Sequence, residues 1–478
     1  MIKYIKILFL FSLALFASQA DAQVNTTLSK KDTSDVRFLN SRKFYIYKVD
    51  KGETLFSISQ KFNIPQEEIL QFNKDIEGQG LKYKSKIWIP AYSWLNKEAP
   101  KSVPAEEEVN KHFEKNTYHI TVLSHLNLPS LYIPDTLSDD SVAINEPIAK
   151  EMEANLQFTE GIMHAAEVMN KSGFKAVVRI IDTEDDTIKT LRQINKEPMP
   201  DLIITNATGP LLRWCGKFAD DKNITLISAG INTAEQIRNY ENVISMLPSS
   251  LTQCREMGQF MAENFPTANG IFIRTTQAKE NERTTMFKLG WKALKAEKEI
   301  QIDYSKTGVK GIIDSLSKSK TNVIFIPTSN EDMVTTILSE LKVNLADYKI
   351  IVVGLPTWQY FETLDQNLLA QCNTYIFSSG FIQDNSKEVE EFRKFFRESY
   401  NDEPGETAYQ GYDAMSFSAR ELMHGGKKIK LSKSTALLSG LFTNYDFSAG
   451  MKENTLIHVF KSGDENVDLK SAKSKEEK

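Results

Sequence analysis

DLIITNATGPLLRWCGKFADDKNITLISAG, residues 201–230, carries the reading of the fold. Leu202-Ile203-Ile204 is apolar without alternation, and Gly209-Pro210 breaks the run. Leu211, Leu212, Cys215 and Ala219 then recur at helical spacing before a second apolar run from Ile224 to Ala229. Strands that are apolar throughout belong to sheets covered on both faces, and one helix between two of them is the parallel βαβ unit. The same alternation extends outward on both sides. Before it stand YHITVLSHL, QFTEGIMHAAEVMN and AVVRIID; after it come CREMGQFMAENF, GIFIRT, FKLGWKAL, IQIDY, IIDSLSK, NVIFIP, VTTILSEL and KIIVVG. The pattern predicts a doubly wound α/β fold. It outlasts a single sheet, so two lobes are expected.

The whole chain has 478 residues, 41% hydrophobic and 25% charged, enough apolar material for more than one core. With 58 Lys+Arg against 63 Asp+Glu the net charge is −5, so there is no basic excess to neutralise a phosphate backbone and no nucleic-acid partner is expected. Three cysteines, Cys215, Cys254 and Cys372, allow at most one disulfide.

Residues 1–22 place Lys3 and Lys6 before an apolar run from Ile7 to Ala17 and end in Ala20-Asp21-Ala22, the pattern of a cleaved secretory signal. No other stretch is long and apolar enough for a membrane span. A periplasmic or secreted, cell-wall-associated protein is expected. Residues 23–41 read as linker, 42–94 as a small strand–helix–helix–strand domain, and 95–117, with Pro100, Pro104 and Glu106-Glu107-Glu108, as a second linker. The two-lobed region spans 118–463, and the charged tail 464–478 reads as disordered. Asn127 to Lys150 is too long for an ordinary strand-to-helix loop and reads as a flap or excursion.

In the small domain, YKVDKGETLFSISQKFNIPQEEILQFN followed by LKYKSKIWIP resembles the LysM family of glycan-binding modules at Tyr47, Val49, Gly52, Thr54, Leu55, Ile58, Phe62, Ile69, Asn73, Leu81 and Ile89-Pro90. Folding alone explains many of these positions. Leu55, Ile58 and Phe62 share a helical face, Thr54 can cap that helix, and Gly52 supplies positive-φ freedom to the turn before it. The resemblance implies a βααβ fold and a shallow groove for peptidoglycan or chitooligosaccharide. Its lining would be Gly52, Glu53, Thr54 and Leu55 in one loop, Asn73, Asp75 and Ile76 in another, and Leu81 at the edge. Two positions depart from the family: Glu53 replaces its usual Asp, and Lys84 replaces a Gly, which changes a turn.

The region from Tyr118 to Gly463 is similar to type I periplasmic binding proteins of leucine-binding type, through residues 201–230, NVISMLPSSLTQCREMGQFMAE and AYQGYDAMSFSARELM. The resemblance implies two lobes joined by three chain crossings near Pro248, Phe381 and Gly440. Lobe 1 would then hold about 118–248 and 382–440, and lobe 2 about 249–381 and 441–463. Ligands of such sheets bind at the carboxyl ends of the strands. That rule nominates Asn127, Thr208, Gly209 and Ser228 in lobe 1 and Thr276, Ser329 and Trp358 in lobe 2. Thr208 and Ser228 are also ordinary helix-cap types. Amino-acid binders of this family supply an aromatic residue and an acid from lobe 2. The matching stretches, RTTQAKENER and GLPTWQY, place neither type clearly; Glu331 and Trp358 are the possible substitutes, so a free amino acid is a poor expectation.

No catalytic residue, metal ligand or cofactor site is expected. The six histidines lack H-E-x-x-H spacing, and no G-x-S-x-G, P-loop or GxGxxG occurs. Cys215 and Cys254 read as buried apolar residues, and Asp182, Glu184, Asp185 and Asp186 as a solvated helix start. The resulting expectation is a non-enzymatic protein moored at peptidoglycan whose two-lobed region binds an unknown small ligand or envelope protein. A contact regulator of peptidoglycan synthesis is the alternative within the binding class, and a wall hydrolase the alternative outside it.

Overall fold

Within the small unit, which is built on Phe44–Ala91, three strands run in the order β1 (Val36–Leu39), β2 (Arg42–Lys48) and β3 (Lys86–Pro90). The computed structural model describes residues 32–90, 117–126 and 146–463, with short breaks inside these ranges. β2 and β3 pair antiparallel with Tyr45 opposite Ile89, and helices α1 (Leu55–Phe62) and α2 (Gln66–Gln71) lie between them in sequence. Ile58, Phe62 and Ile69 are fully buried with Phe44, Ile87 and Ile89. β1 corrects the expectation that 23–41 is all linker. Its four residues are too short to register as a strand, yet they supply a neighbour for the outer edge of β2.

The large unit begins with β4 (Tyr118–Ser124), β5 (Ala176–Asp182), β6 (Leu202–Thr205), β7 (Thr225–Ser228) and β8 (Val243–Ser245), all parallel in the order β5-β4-β6-β7-β8. Helix α3 (Glu146–Lys171) covers one face, and α4 (Thr187–Ile194) and α5 (Gly209–Lys222) the other. The chain then enters a second sheet through α6 (Ser250–Asn264), β9 (Asn269–Arg274), α7 (Ala278–Leu294), β10 (Ile300–Asp303), α8 (Tyr304–Ile313) and β11 (Asn322–Phe325). It continues through α9 (Glu331–Val343), β12 (Ile350–Val353), α10 (Gln366–Gln371) and β13 (Thr374–Ser378). Helices α11 (Lys387–Tyr400) and α12 (Glu406–Gly425) and the small hairpin β14 (Leu438–Ser439) and β15 (Asn444–Tyr445) return to the first lobe. The last strand, β16 (His458–Lys461), closes the second sheet antiparallel to β13 in the order β10-β9-β11-β12-β13-β16.

The third crossing is not near Gly440. Tyr445 and Phe447 pack with Phe417 in the first lobe's core, whereas Ile457 and Val459 are buried in the second. The passage therefore falls between them, at Asn454–Leu456. Asp413, buried on α12, is the cause. It accepts hydrogen bonds from Leu441 N (2.6 Å), Phe442 N (2.8 Å) and Tyr445 Oη (2.9 Å), which keeps the hairpin with lobe 1. The crossings are stitched to one another by buried polar groups. Asn454 Nδ2 donates to Met246 O and Asn444 O, its Oδ1 accepts from Asp446 N and Leu456 N, and Glu453 Oε1 accepts from Ser249 N at 2.6 Å. Phe381 N donates to Phe442 O at 2.7 Å, and Leu247, Ile382 and Phe442 share a core with Phe392 and Tyr409.

One helix contact recurs in both lobes. In lobe 1, a Cβ on Gly161 (α3) would stand 1.9 Å from Ala408 O, and one on Gly411 (α12) 2.0 Å from Phe158 O. In lobe 2, a Cβ on Gly258 (α6) would stand 2.1 Å from Phe287 O, and one on Gly290 (α7) 1.8 Å from Arg255 O. Each pair is reciprocal. Each glycine lies three residues after the carbonyl that its partner glycine approaches.

Gly161→Ala and Gly290→Ala should each destabilise the large unit by roughly 3 kcal/mol or more, because the obstacle is backbone in a packed helix and cannot swing aside. Urea unfolding followed by far-UV circular dichroism measures this. A loss under about 0.5 kcal/mol, ordinary for a surface change, would contradict the contact.

His164 on α3 is stacked on Phe395 with ring centroids 3.4 Å apart and lies against Phe392 and Tyr412. Its Nδ1 is buried without a hydrogen-bond partner, and burial pushes the imidazole down to about 4 from 6.5. The unfolded chain therefore takes up this proton at higher pH than the folded one does, so its contribution to stability is lost as pH falls from 6.5 toward 4. His164→Asn should flatten that part of the stability curve relative to the parent in chemical unfolding at stepped pH.

Candidate functional site

In the small unit the turn before α1 has the backbone that the sequence implied: Gly52 has φ +85° and its neighbourhood is open. Thr54 caps α1, its Oγ1 accepting from Ser57 N at 3.1 Å while Ser57 Oγ accepts from Thr54 N at 2.9 Å. Glu53 does not point its carboxylate outward. It accepts from Tyr47 Oη (2.7 Å) and from Asp50 N (2.8 Å), so the longer acid closes its own loop. Asn73 is also turned inward. Its amide donates to Ile69 O and Trp88 O and accepts from Trp88 N, all within 2.7 Å, which ties α2 to β3. Ile76 is buried, Leu55 and Leu81 are half-buried, and Asp75 lies outside the described residues. Of the residues nominated for the groove, Gly52 and Thr54 are exposed and Leu55 and Leu81 half-buried. Two exposed aromatics that the sequence reading passed over lie within two residues of these in sequence: Phe56 and Tyr83, 59% and 58% exposed. Phe56 falls off the buried stripe of α1, and that was the available signal.

Lys84 keeps the turn that its family glycine would make, at φ +68°, with Lys84 N donating to Val49 O. A side chain in that region is strained. Lys84→Gly should therefore raise the stability of the small unit by about 1 kcal/mol, read as an upward shift of its thermal transition.

At the carboxyl ends of the first lobe's strands, Asn127 lies outside the described residues. Thr208 is exposed and precedes α5, but its hydroxyl makes no cap hydrogen bond. Gly209 follows at φ +62°. Ser228 is fully buried and accepts from Asn232 Nδ2 at 2.6 Å, so it faces the protein rather than a ligand. The two loops meet at Gly230, where a Cβ would stand 2.6 Å from Asn206 O and 3.2 Å from the Thr208 methyl. Exposed Trp214 on α5 and Ile231 are apolar groups of this region that the sequence reading did not single out.

In the second lobe, Thr276 is exposed, and Ser329 Oγ lies 2.7 Å from Thr357 Oγ1, joining two strand-end loops. Trp358 is not a ligand face. It is fully buried, donates from Nε1 to Thr328 O at 2.8 Å and fills the space that Gly354 leaves open. Glu331 is equally committed, accepting from Thr363 N (2.6 Å) and Leu364 N (3.0 Å). Neither substitute proposed for the amino-acid-binding pair is available. A cavity of about 830 Å³ lined by His119, Glu197, Met199, Asp201, Lys222 and Asn223 lies at the amino ends of β4, β6 and β7, opposite these loops.

The cysteines and the acidic cluster at 182–186 are taken up by burial and by structural bonds. Burial pushes the thiols of Cys215 and Cys254 up to about 12, and all three cysteines are unpaired and buried. Asp186 caps α4 by accepting from Lys189 N, and Glu184 pairs with Lys189. Among the described residues no His, Cys, Asp and Glu side chains group as metal ligands, and no helix is long and apolar enough to cross a membrane.

A LysM family profile matches residues 47–90, so the small unit is a LysM domain. A search of curated protein sequences returned no match. Among solved structures, a protein described as a branched-chain amino acid ABC transporter from Rhodospirillum rubrum aligns over 73% of this chain and 98% of its own, at 12% identity and TM-score 0.53. A branched-chain amino acid ABC transporter periplasmic ligand-binding protein from Burkholderia xenovorans LB400 aligns over 73% of this chain and 92% of its own, at 11% identity and TM-score 0.50. These likenesses give the large unit the type I periplasmic binding protein fold. Full-length LpoA from Haemophilus influenzae aligns over 73% of this chain and 58% of its own, at 11% identity and TM-score 0.48, too slight a likeness to bear on function.

Proposed function

We propose that this chain is a non-catalytic, exported envelope protein whose LysM domain moors it to peptidoglycan while its two-lobed unit recognises a second molecule. The LysM match over residues 47–90 carries the reading. A shallow groove built on the Gly52 turn desolvates little surface, so one such module binds weakly, and a repeating polymer compensates by offering many sites. The second molecule is something other than a free amino acid. Trp358 and Glu331 would have to leave a packed core and a closed loop to grip one, and the polar groups freed would stay unpaired.

A second reading, regulation of peptidoglycan synthesis through protein contact, is favoured by the crossings. Asn454 and Glu453 are buried and bond the third crossing to the first, and Phe381 N bonds the second crossing to the hairpin that Asp413 holds, an arrangement that resists the hinge motion a ligand-closing receptor needs. The partner would then meet exposed surfaces such as Trp214 and Ile231.

The mature chain should sediment with purified sacculi and be displaced by soluble chitooligosaccharide. Retention that chitooligosaccharide does not reduce would sink the groove assignment. Leucine, isoleucine and valine at millimolar concentration should leave the melting temperature of the large unit unchanged, since only a ligand that binds the folded state raises it.

A further inference from the structure

The arm that precedes the first long strand of the LysM domain is attached to it by named contacts. Ile46 N donates to Asp35 O at 2.8 Å, and Lys86 pairs with Asp35 at 3.6 Å. Three residues earlier, Asp32 Oδ1 accepts from Lys61 Nζ at 3.0 Å. Lys61 is near the end of α1, and the same ammonium donates to Tyr47 Oη at 2.8 Å. Tyr47 Oη donates in turn to Glu53 Oε1 at 2.7 Å, and Glu53 Oε2 accepts from Asp50 N at 2.8 Å. The result is a hydrogen-bonded relay of carboxylate, ammonium, neutral phenol and carboxylate, Asp32–Lys61–Tyr47–Glu53, that ends on the backbone of the loop containing Gly52. The Asp32, Lys61 and Glu53 side chains are only 11%, 16% and 19% exposed, and Tyr47 is buried, so water screens the relay little.

We propose that Asp32, which lies outside the matched LysM segment, is a positioning residue for glycan binding: through Lys61, Tyr47 and Glu53 it fixes the loop from Asp50 to Thr54 in the conformation that meets the sugar. This rests on the reading of the LysM groove as a glycan site. The chemistry requires both ends of the relay. Lys61 lies 3.8 Å from the Glu53 carboxylate as well as 3.0 Å from Asp32. With Asp32 neutral, the ammonium is drawn toward Glu53 and competes with Tyr47 Oη and Asp50 N for its oxygens. The loop then loses the bond that closes it. Glutamate at position 53 suits this role because its extra methylene lets one carboxylate reach both the tyrosine hydroxyl and the amide three residues back.

The experiment uses the mature full chain with chitotetraose as probe. Asp32→Asn should weaken chitotetraose binding roughly three- to tenfold by calorimetry, the range of one ordinary net hydrogen bond, because asparagine keeps an acceptor for Lys61 and removes the charge. The melting temperature of the small unit should stay within about 2 °C of the parent, a shift well under 1 kcal/mol. Hydrogen exchange of a peptide covering residues 48–56 should quicken in the variant, and Asp32→Glu should restore both affinity and protection. Unchanged loop exchange in Asp32→Asn overturns the positioning role whatever happens to binding. Faster exchange with unchanged affinity overturns the link between the loop and the sugar. If the parent itself fails to bind chitotetraose, the glycan reading falls, while the exchange comparison still decides whether Asp32 holds the loop.

Discussion

Backbone-to-backbone contact between two helices in each lobe is the constraint on which the large unit depends. In both cases the helix that follows the lobe's first strand, α3 or α7, meets a helix from elsewhere in the chain: α12 in lobe 1, and in lobe 2 α6, which directly follows the first crossing. At each meeting a glycine on one helix lies under a carbonyl of the other, and the arrangement is returned three residues away. A helix pair brought this close has no room for a side chain and little freedom to slide, so its angle and register are fixed together. The helix that carries the chain into lobe 2 and the helix that carries Asp413 in lobe 1 are thereby held in place. The two lobes share almost no sequence in these helices beyond the spacing itself.

The candidate sites follow a common rule: polar side chains that the pattern offered as ligands are mostly spent within the protein. Glu53, Asn73, Ser228, Glu331 and the Trp358 indole each have a bonded partner in their own neighbourhood. What remains exposed is backbone, hydroxyls such as Thr208 and Thr276, and aromatic or branched side chains such as Phe56, Tyr83, Trp214 and Ile231. Surfaces of that composition gain most of their binding free energy from apolar contact and shape, with hydrogen bonds serving orientation.

The layered α/β architecture was legible because continuous apolar runs and amphipathic helices leave different periods in the sequence. The turn at Gly52 and the cap at Thr54 were legible because their residue types are demanded locally. Other features depend on partners far along the chain. Asp413 is one acid in a helix until the residues 28 to 32 positions later arrive to donate to it, and without that knowledge the last crossing was placed too early. Trp358 follows a strand at a position that suits a ligand, and only the gap left by Gly354 reveals that it turns inward. Glu53 looked like a conservative departure from Asp, whereas its reach to Tyr47 gives the longer side chain a use.

The closing strand β16 has a temporal consequence. Lobe 1 needs α12 and the hairpin through Tyr445, and lobe 2 needs residues 458–461, so neither layer can be finished until almost the whole chain has been made. The LysM domain draws only on residues before Ala91 and can mature as soon as it emerges. The LysM domain would thus be folded while nearly four hundred residues behind it still expose apolar surface, which makes the unfinished lobes the part of the chain most open to misassembly.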